Sequence, residues 1–180
     1  TLDKGSSSGL SAGMPVTTAS GVIGQIVSCS ATTSTVRLLS DESSSISAMV
    51  QSSRAQGMLQ GSASGEVRLE LVSTGQEVSV GDVIVTSGLG GVFPKGLPVG
   101  EVASVTSNPG DLYLDIVVEL YADTTRSEEV LVITSITESQ RASSEDIAEA
   151  DAQEHGSSDD EDETTDGDAT NDQTDDGQAQ

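Results

Sequence analysis

Apolar and polar residues in the first 136 positions follow short patterns that are typical of β-strands. Runs rich in Val and Ile recur, and Gly, Ser, Asn, Asp or Pro residues separate them. The predicted strands are Gly21–Cys29, Thr35–Leu39, Ser45–Val50, Gly57–Gln60, Glu66–Val72, Asp82–Thr86, Pro98–Val105, Leu112–Tyr121 and Val130–Ile133. No stretch of this region has a sustained helical period with caps. The pattern therefore predicts an all-β protein with two small β-barrel-like domains in tandem.

The clearest alternation of apolar and polar residues is the stretch VRLEL. Val67, Leu69 and Leu71 fall on one face of this predicted strand, and Arg68 and Glu70 fall on the other. Alternation of this kind is typical of a strand that is buried on one side. We therefore expect all three apolar side chains to point into a core.

Two segments of the chain share one layout, which suggests a repeat. Gly13–Ser28 and Gly81–Val105 each contain an apolar strand that ends in Thr, a glycine-bearing loop and a second Val-rich strand. Gly24 in the first segment corresponds to Gly100 in the second. The interpretation is two weakly similar β-domains, and the alternative is chance similarity in a chain rich in Gly and Val.

The acidic charge is concentrated at the C-terminal end. The formal net charge is −23, and residues 141–180 hold 15 of the 30 acidic residues but one of the seven basic ones. Ile147 is the one large apolar residue there, so this segment cannot bury enough surface to offset its ordering entropy. We predict a first β-domain at 1–60, a second at 61–136, and a disordered acidic low-complexity tail at 137–180. The sequence leaves open whether the first domain lacks an upstream strand and whether the two domains exchange strands.

Composition argues against several classes of function. The few Lys and Arg residues do not cluster, so neither nucleic acid nor an anionic membrane surface is an expected partner. Cys29 is the only cysteine and His155 the only histidine, which cannot supply a zinc shell. His155 also lies in the predicted disordered tail, where no surrounding structure would position it as the base of a catalytic triad. We expect no catalytic residue, no metal and no cofactor.

The stretch TSGLGGVFPKGLPVG (Thr86–Gly100) holds five glycines and raises the question of phosphate binding. A P-loop needs Lys and then Ser or Thr after its last glycine, but Leu97 and Pro98 stand there. The segment is better explained as a turn at Pro94–Gly96 between two strands.

Phe93, the only phenylalanine, is predicted to lie in this loop, and two interpretations are open. It either plugs a barrel end or serves as an exposed anchor for a partner. Leu89, Val92 and Phe93 are accordingly our candidate partner-binding residues.

Several stretches resemble bacterial rod shape-determining proteins of the MreC family. The most specific is VSVGDVIVTSGLGGVFPKGLPVGEVASV (Val78–Val105). Similar stretches occur collinearly at Thr1–Val16, Gly21–Asp41, Ala55–Gly61 and Glu128–Ile133, so that the resemblance covers roughly residues 1–134. The acidic tail lies outside it.

The resemblance implies a non-enzymatic extracytoplasmic scaffold of the cell-wall elongation machinery that maintains rod shape. The implied partners are the elongation-specific penicillin-binding transpeptidase, MreD, RodA, the actin-like MreB system and further copies of the chain, as a dimer or filament. Full-length members are single-pass membrane proteins with a coiled coil, so the resemblance implies that this chain is a soluble fragment whose membrane helix is missing. A generic extracytoplasmic adaptor or adhesion module is the alternative, and a degenerate barrel hydrolase is less favoured.

Overall fold

The computed structural model describes residues 1–124, 127–136 and 143–155. Within these residues the chain forms a short 3-10 turn at Ser6–Ser8, ten β-strands and one α-helix. The elements are β1 (Pro15–Thr17), β2 (Val22–Cys29), β3 (Ser34–Leu38), β4 (Ser45–Val50), β5 (Gln56–Gly61), β6 (Val67–Glu70), β7 (Val83–Thr86), β8 (Pro98–Thr106), β9 (Asp115–Leu120), β10 (Leu131–Val132) and α1 (Ser144–His155). The predicted β architecture is confirmed.

Six antiparallel strands close into a barrel in the order β4-β5-β6-β9-β8-β7. Alternate side chains point inward and fill the interior, since a barrel of this size has no room for an open channel. The large, fully buried side chains inside it include Leu59, Leu69, Ile84, Val99, Val102 and Ile116. Burying each such side chain is worth about 1.5–3 kcal/mol, which makes the barrel the main stabilising unit.

The remaining strands form a second sheet in the order β10-β1-β2-β3. Its smaller core contains Leu10, Val16 and Ile26. Strand β10 follows the barrel in sequence, yet Val132 pairs with Val16. A strand from the C-terminal side of the barrel therefore completes this sheet.

The chain passes from one sheet to the other between β3 and β4. Strands β4 and β5, which span residues 45–61, both belong to the barrel. The Ser- and Gly-rich segments on either side of β5 are turns within that barrel. The true connection is the short turn at residues 39–44, whose Leu39 is buried in the barrel core.

The predicted repeat is confirmed by strand register. Gly24 of β2 pairs with Val16 on one side and Leu38 on the other. Gly100 of β8 pairs with Ile84 and Leu120 in the same way. Bulges follow at matching places in both units, after Ile26 in β2 and after Val102 in β8. Strands β1–β3 are thus a structural counterpart of β7–β9.

Leu71 departs from the alternation predicted for VRLEL. Val67 and Leu69 are buried as expected, but Leu71 is 57% exposed. Its backbone adopts a left-handed conformation with φ 65°, which ends β6 at Glu70 and turns the side chain away from the core. The prediction that Leu71 shares the buried face is therefore wrong.

Within the predicted tail, residues 144–155 form α1, and positions 137–142 and 156–180 lie outside the described residues. The apolar content of the tail is indeed too low to bury a face of this helix, but α1 is held to the barrel by hydrogen bonds and ion pairs instead. Composition alone does not reveal such contacts.

Candidate functional site

An apolar groove of about 220 Å³ lies between α1 and one end of the barrel. Its apolar side chains come from four segments of the barrel, and α1 contributes one wall. These lining residues are Met58, Leu71, Leu89 and Tyr113 from the barrel, and Ala150 and Gln153 from α1. We call this feature the α1 groove.

The α1 groove presents apolar surface to solvent. Leu71 and Tyr113 are 57% and 45% exposed, and the adjacent Leu112 is 70% exposed. A left-handed conformation costs a residue such as Leu about 1–2 kcal/mol. The outward orientation of Leu71 is therefore accompanied by backbone strain. Strain and exposed apolar surface at one place are typical of a protein-binding surface.

The first turn of α1 is anchored through Asp146, which is 1% exposed. Lys95 Nζ donates to both carboxylate oxygens at 2.6 and 2.5 Å, and Arg54 also donates to this carboxylate. The backbone N–H and the hydroxyl of Ser143 donate to Asp146 Oδ2 at 2.8 and 2.7 Å. In return, the Asp146 N–H donates to Ser143 Oγ at 3.3 Å, as in a capping box.

The ionised form of Asp146 is favoured at this site. Burial by itself would raise the pKa of the Asp146 carboxyl, but hydrogen bonds from Lys95 and Ser143 outweigh it. The net result is a pKa well below the usual value of an aspartate. The carboxylate is therefore the form that holds α1 to the barrel.

A second anchor joins α1 to strand β5. The Gln56 N–H donates to Gln153 Oε1 at 2.9 Å, and Gln56 Nε2 donates to the Asp146 carbonyl oxygen at 2.9 Å. Pairing between β5 and β6 begins at Met58 and Glu70, because the chain diverges at Leu71. Gln153 Oε1 thus lies where a carbonyl oxygen of a neighbouring strand would accept the hydrogen bond from the Gln56 N–H.

The three candidate residues of the glycine loop lie in three different environments. Leu89 is half-buried and lines the α1 groove, whereas Val92 is 36% exposed and lies outside it. Phe93 is 6% exposed and packs in the barrel core. The interpretation of Phe93 as an exposed anchor is therefore wrong, because its ring fills the barrel interior.

The rest of the loop is a structural corner, as the sequence indicated. The fully buried Thr86 organises it: Thr86 Oγ1 donates to the Pro94 carbonyl oxygen at 2.5 Å and accepts from the Leu97 N–H at 2.9 Å. The Gly96 N–H donates to the Thr86 carbonyl oxygen at 2.8 Å. This turn presents Lys95 to Asp146.

Sequence analysis missed Lys95, Asp146, Gln153, Leu71 and Tyr113 as members of the site. One signal was readable: Ser143 and Asp146 have the spacing of a capping box, which marks a helix start. Nothing in the sequence indicated that Lys95 and Asp146 meet, since 51 positions separate them.

The described parts of the chain hold neither a cluster of metal-ligating side chains nor a membrane-spanning helix. Residues 1–124, 127–136 and 143–155 contain no group of three or more His, Cys, Asp or Glu side chains that could hold a metal ion. Among the helical residues that the structure describes, none forms a helix long and apolar enough to span a membrane.

Comparison with known proteins identifies relatives for the first 134 residues. The family model "Rod shape-determining protein MreC, barrel core" matches residues 1–134. The cell shape-determining protein MreC of Escherichia coli K12 is 39% identical over 105 residues, which are 58% of this chain and 29% of that protein. The matched region thus spans less than a third of that relative.

Solved structures of MreC proteins are similar to this chain in fold. MreC from Pseudomonas aeruginosa superimposes with a TM-score of 0.68 at 34% identity, over 73% of this chain and 85% of that one. MreC from Helicobacter pylori, solved in a complex with penicillin-binding protein PBP2, has a TM-score of 0.56 at 20% identity, over 66% of this chain and 74% of that one. At that identity the second likeness concerns the fold alone.

Proposed function

The chain belongs to the MreC family of rod shape-determining proteins, and we propose that it is a non-enzymatic scaffold of the cell-wall elongation machinery on the extracytoplasmic side of the bacterial membrane. The observation that carries this proposal is the family match over residues 1–134, which include all ten strands. The resemblance noted in the sequence is thereby confirmed.

The first proposed partner is the penicillin-binding transpeptidase of elongation. The Helicobacter pylori relative was solved together with PBP2, which supports a partner of this class. MreD, RodA, the MreB system and self-association are further proposed partners of the longer protein to which this region corresponds. We propose a membrane anchor for that longer protein as well.

The α1 groove is the proposed contact surface for the transpeptidase. It combines the half-buried Leu89 with the exposed Leu71 and Tyr113, and aromatic and apolar side chains of this kind dominate binding energy in protein interfaces. Val92 is proposed as a peripheral contact because it is exposed on the same loop as Leu89.

Binding of the full chain to the purified ectodomain of the host's elongation transpeptidase tests this proposal. Leu71→Ser and Tyr113→Ser should each weaken binding by about tenfold, which corresponds to about 1.4 kcal/mol. Val80→Ser is the matched control, because Val80 is 68% exposed but does not line the groove.

Two results would count against the proposal in different ways. Equal effects of Tyr113→Ser and Val80→Ser would exclude the groove as the contact surface. Absence of binding by the folded wild-type chain would exclude the transpeptidase as a direct partner of this region.

A further inference from the structure

α1 contacts the barrel through one narrow face. Asp146, Ala150 and Gln153 lie at positions i, i+4 and i+7, which fall on the same side of a helix. Ile147, the one large apolar residue of α1, is 47% exposed and is not the anchor. The helix is thus recognised by a carboxylate and a side-chain amide rather than by an apolar stripe.

The barrel offers a matched set of groups to this face. Lys95 and Arg54, two of the seven basic residues of a chain with net charge −23, both bind the Asp146 carboxylate. On β5, the Gln56 N–H donates to no acceptor of β6 and donates to Gln153 Oε1 instead. The two basic side chains and the Gln56 N–H are thus spaced so that they bind two helix residues, Asp146 and Gln153, that are seven positions apart.

Backbone strain coincides with this surface. Among the residues that the structure describes, Arg54 and Leu71 are the two non-glycine residues with positive φ, at 61° and 65°. Arg54 binds the first turn of α1, and Leu71 lines the groove beside it. Strained residues persist where the surrounding structure holds them in place, and they cluster at binding sites.

α1 has little tendency to form by itself. It is twelve residues long, a length at which an isolated helix is marginal in water. Five of its twelve residues are acidic and none is Lys or Arg, so the charges of this segment repel one another. The barrel surface is therefore what selects the helical form.

We propose that this face of the barrel is a docking site for a helix that carries the same pattern as α1 and is supplied in trans. The pattern is a Ser N-cap, Asp three residues later, a small residue four positions after that Asp, and Gln three positions further on. In the isolated chain α1 occupies the site in cis. This inference goes beyond the scaffold role and does not depend on the transpeptidase being a partner.

A fluorescein-labelled peptide of residues 141–155 tests the site in trans, with the full chain as receptor. The wild-type chain should bind it weakly, because its own α1 competes. Asp146→Asn in the receptor releases the cis helix, so this variant should bind the wild-type peptide at least tenfold more tightly. Where Asp146→Asn does not fold, Gln153→Ala opens the site by removing the second anchor.

Two controls distinguish docking from general attraction between charges. Lys95→Glu, added to the Asp146→Asn receptor, should reduce peptide binding at least tenfold. Arg68→Glu is the matched control, because Arg68 also binds a carboxylate, that of Asp115, but lies outside the α1 contacts. A peptide that itself carries Asp146→Asn should not bind.

Each of three results would overturn the proposal. They are equal affinity of the wild-type and Asp146→Asn receptors for the peptide, no binding to a folded Asp146→Asn receptor, and equal losses from Lys95→Glu and Arg68→Glu. Because only the peptide is used as a ligand, none of these results bears on transpeptidase binding.

Discussion

Gly24 and Gly100 occupy equivalent positions in the two halves of the molecule, and each lies against the backbone of a paired strand. A Cβ atom at Gly24 would be 1.9 Å from the carbonyl oxygen of Arg37, and one at Gly100 would be 2.1 Å from that of Glu119. Neither strand can move away without breaking its pairing. Glycine at both positions is therefore a requirement of the repeated unit.

Alanine at either glycine should destabilise the protein. Gly24→Ala and Gly100→Ala force backbone shifts, and overpacking of this kind costs about 1–3 kcal/mol. Urea denaturation measures the free energy of unfolding. Gly75→Ala is the control, because a Cβ there meets nothing within 4 Å and should change stability by no more than about 0.5 kcal/mol. Similar values for all three variants would contradict the account.

Asp146→Asn should detach α1 and leave the barrel folded. The substitution removes the charge that Lys95 and Arg54 bind, so the helical signal in far-ultraviolet circular dichroism should fall. Hydrogen exchange at the Gln56 amide should become faster, since Gln153 no longer accepts from it. An unchanged rate at Gln56 would show that α1 docks without this carboxylate.

Docking of α1 should be lost in acid. Burial alone would raise the pKa of Asp146, but hydrogen bonds from Lys95 and Ser143 lower it overall, so the docked state favours the carboxylate. A carboxyl whose pKa is lowered stabilises the docked state above its ordinary pKa of about 3.9 and loses this effect as the pH falls further. The Gln56 amide resonance, followed by NMR from neutral pH downward, should shift below that value. Asp146→Asn should abolish this dependence.

Phe93→Ala should cost about 3–5 kcal/mol of unfolding free energy, since removal of a buried aromatic ring leaves a cavity. Val92→Ala is the neighbouring control. Val92 is 36% exposed, so its truncation should cost far less. Thermal denaturation of both variants distinguishes a core residue from a surface contact. Comparable losses would show that Val92 is packed more tightly than its exposure indicates.

Leu71→Asn should maintain or raise stability while weakening transpeptidase binding. Asn tolerates the left-handed backbone better than Leu, so up to about 1 kcal/mol of strain is relieved. Little burial is lost, because Leu71 is 57% exposed. A variant that is no less stable but binds more weakly would show that Leu71 is retained for recognition. Lower stability with unchanged binding would assign it a structural role instead.

The strands could be predicted because their signal is local. β4 was predicted with its observed bounds, Ser45–Val50, and the correspondence of Gly24 with Gly100 was readable from the order of apolar and glycine residues. Strand β1, with three residues, was too short to stand out except within the repeat. Partners along the sheet could not be predicted, because strands such as β4 and β7 pair although they are far apart in sequence.

The site could be predicted less well, because its members meet only through the tertiary fold. Leu71 follows a perfect alternation in sequence, and only its positive φ reverses its direction. Lys95 was interpreted as part of a turn, which is correct, but its partner Asp146 lies in a segment with no apolar periodicity. Helices held by polar contacts carry no hydrophobic signal, so pattern analysis does not detect them.

The pairing of β10 with β1 has a consequence for the order of folding. The barrel strands lie within one continuous stretch, residues 45–120, and no connection between them is longer than residues 71–82, so they can assemble with modest loop-closure entropy. The pairing of Val16 with Val132 cannot form until Val132 has been synthesised, which happens more than a hundred residues later. During synthesis, strands β1–β3 therefore emerge before the barrel, yet their sheet is completed after it, and the finished barrel is the template on which this sheet closes.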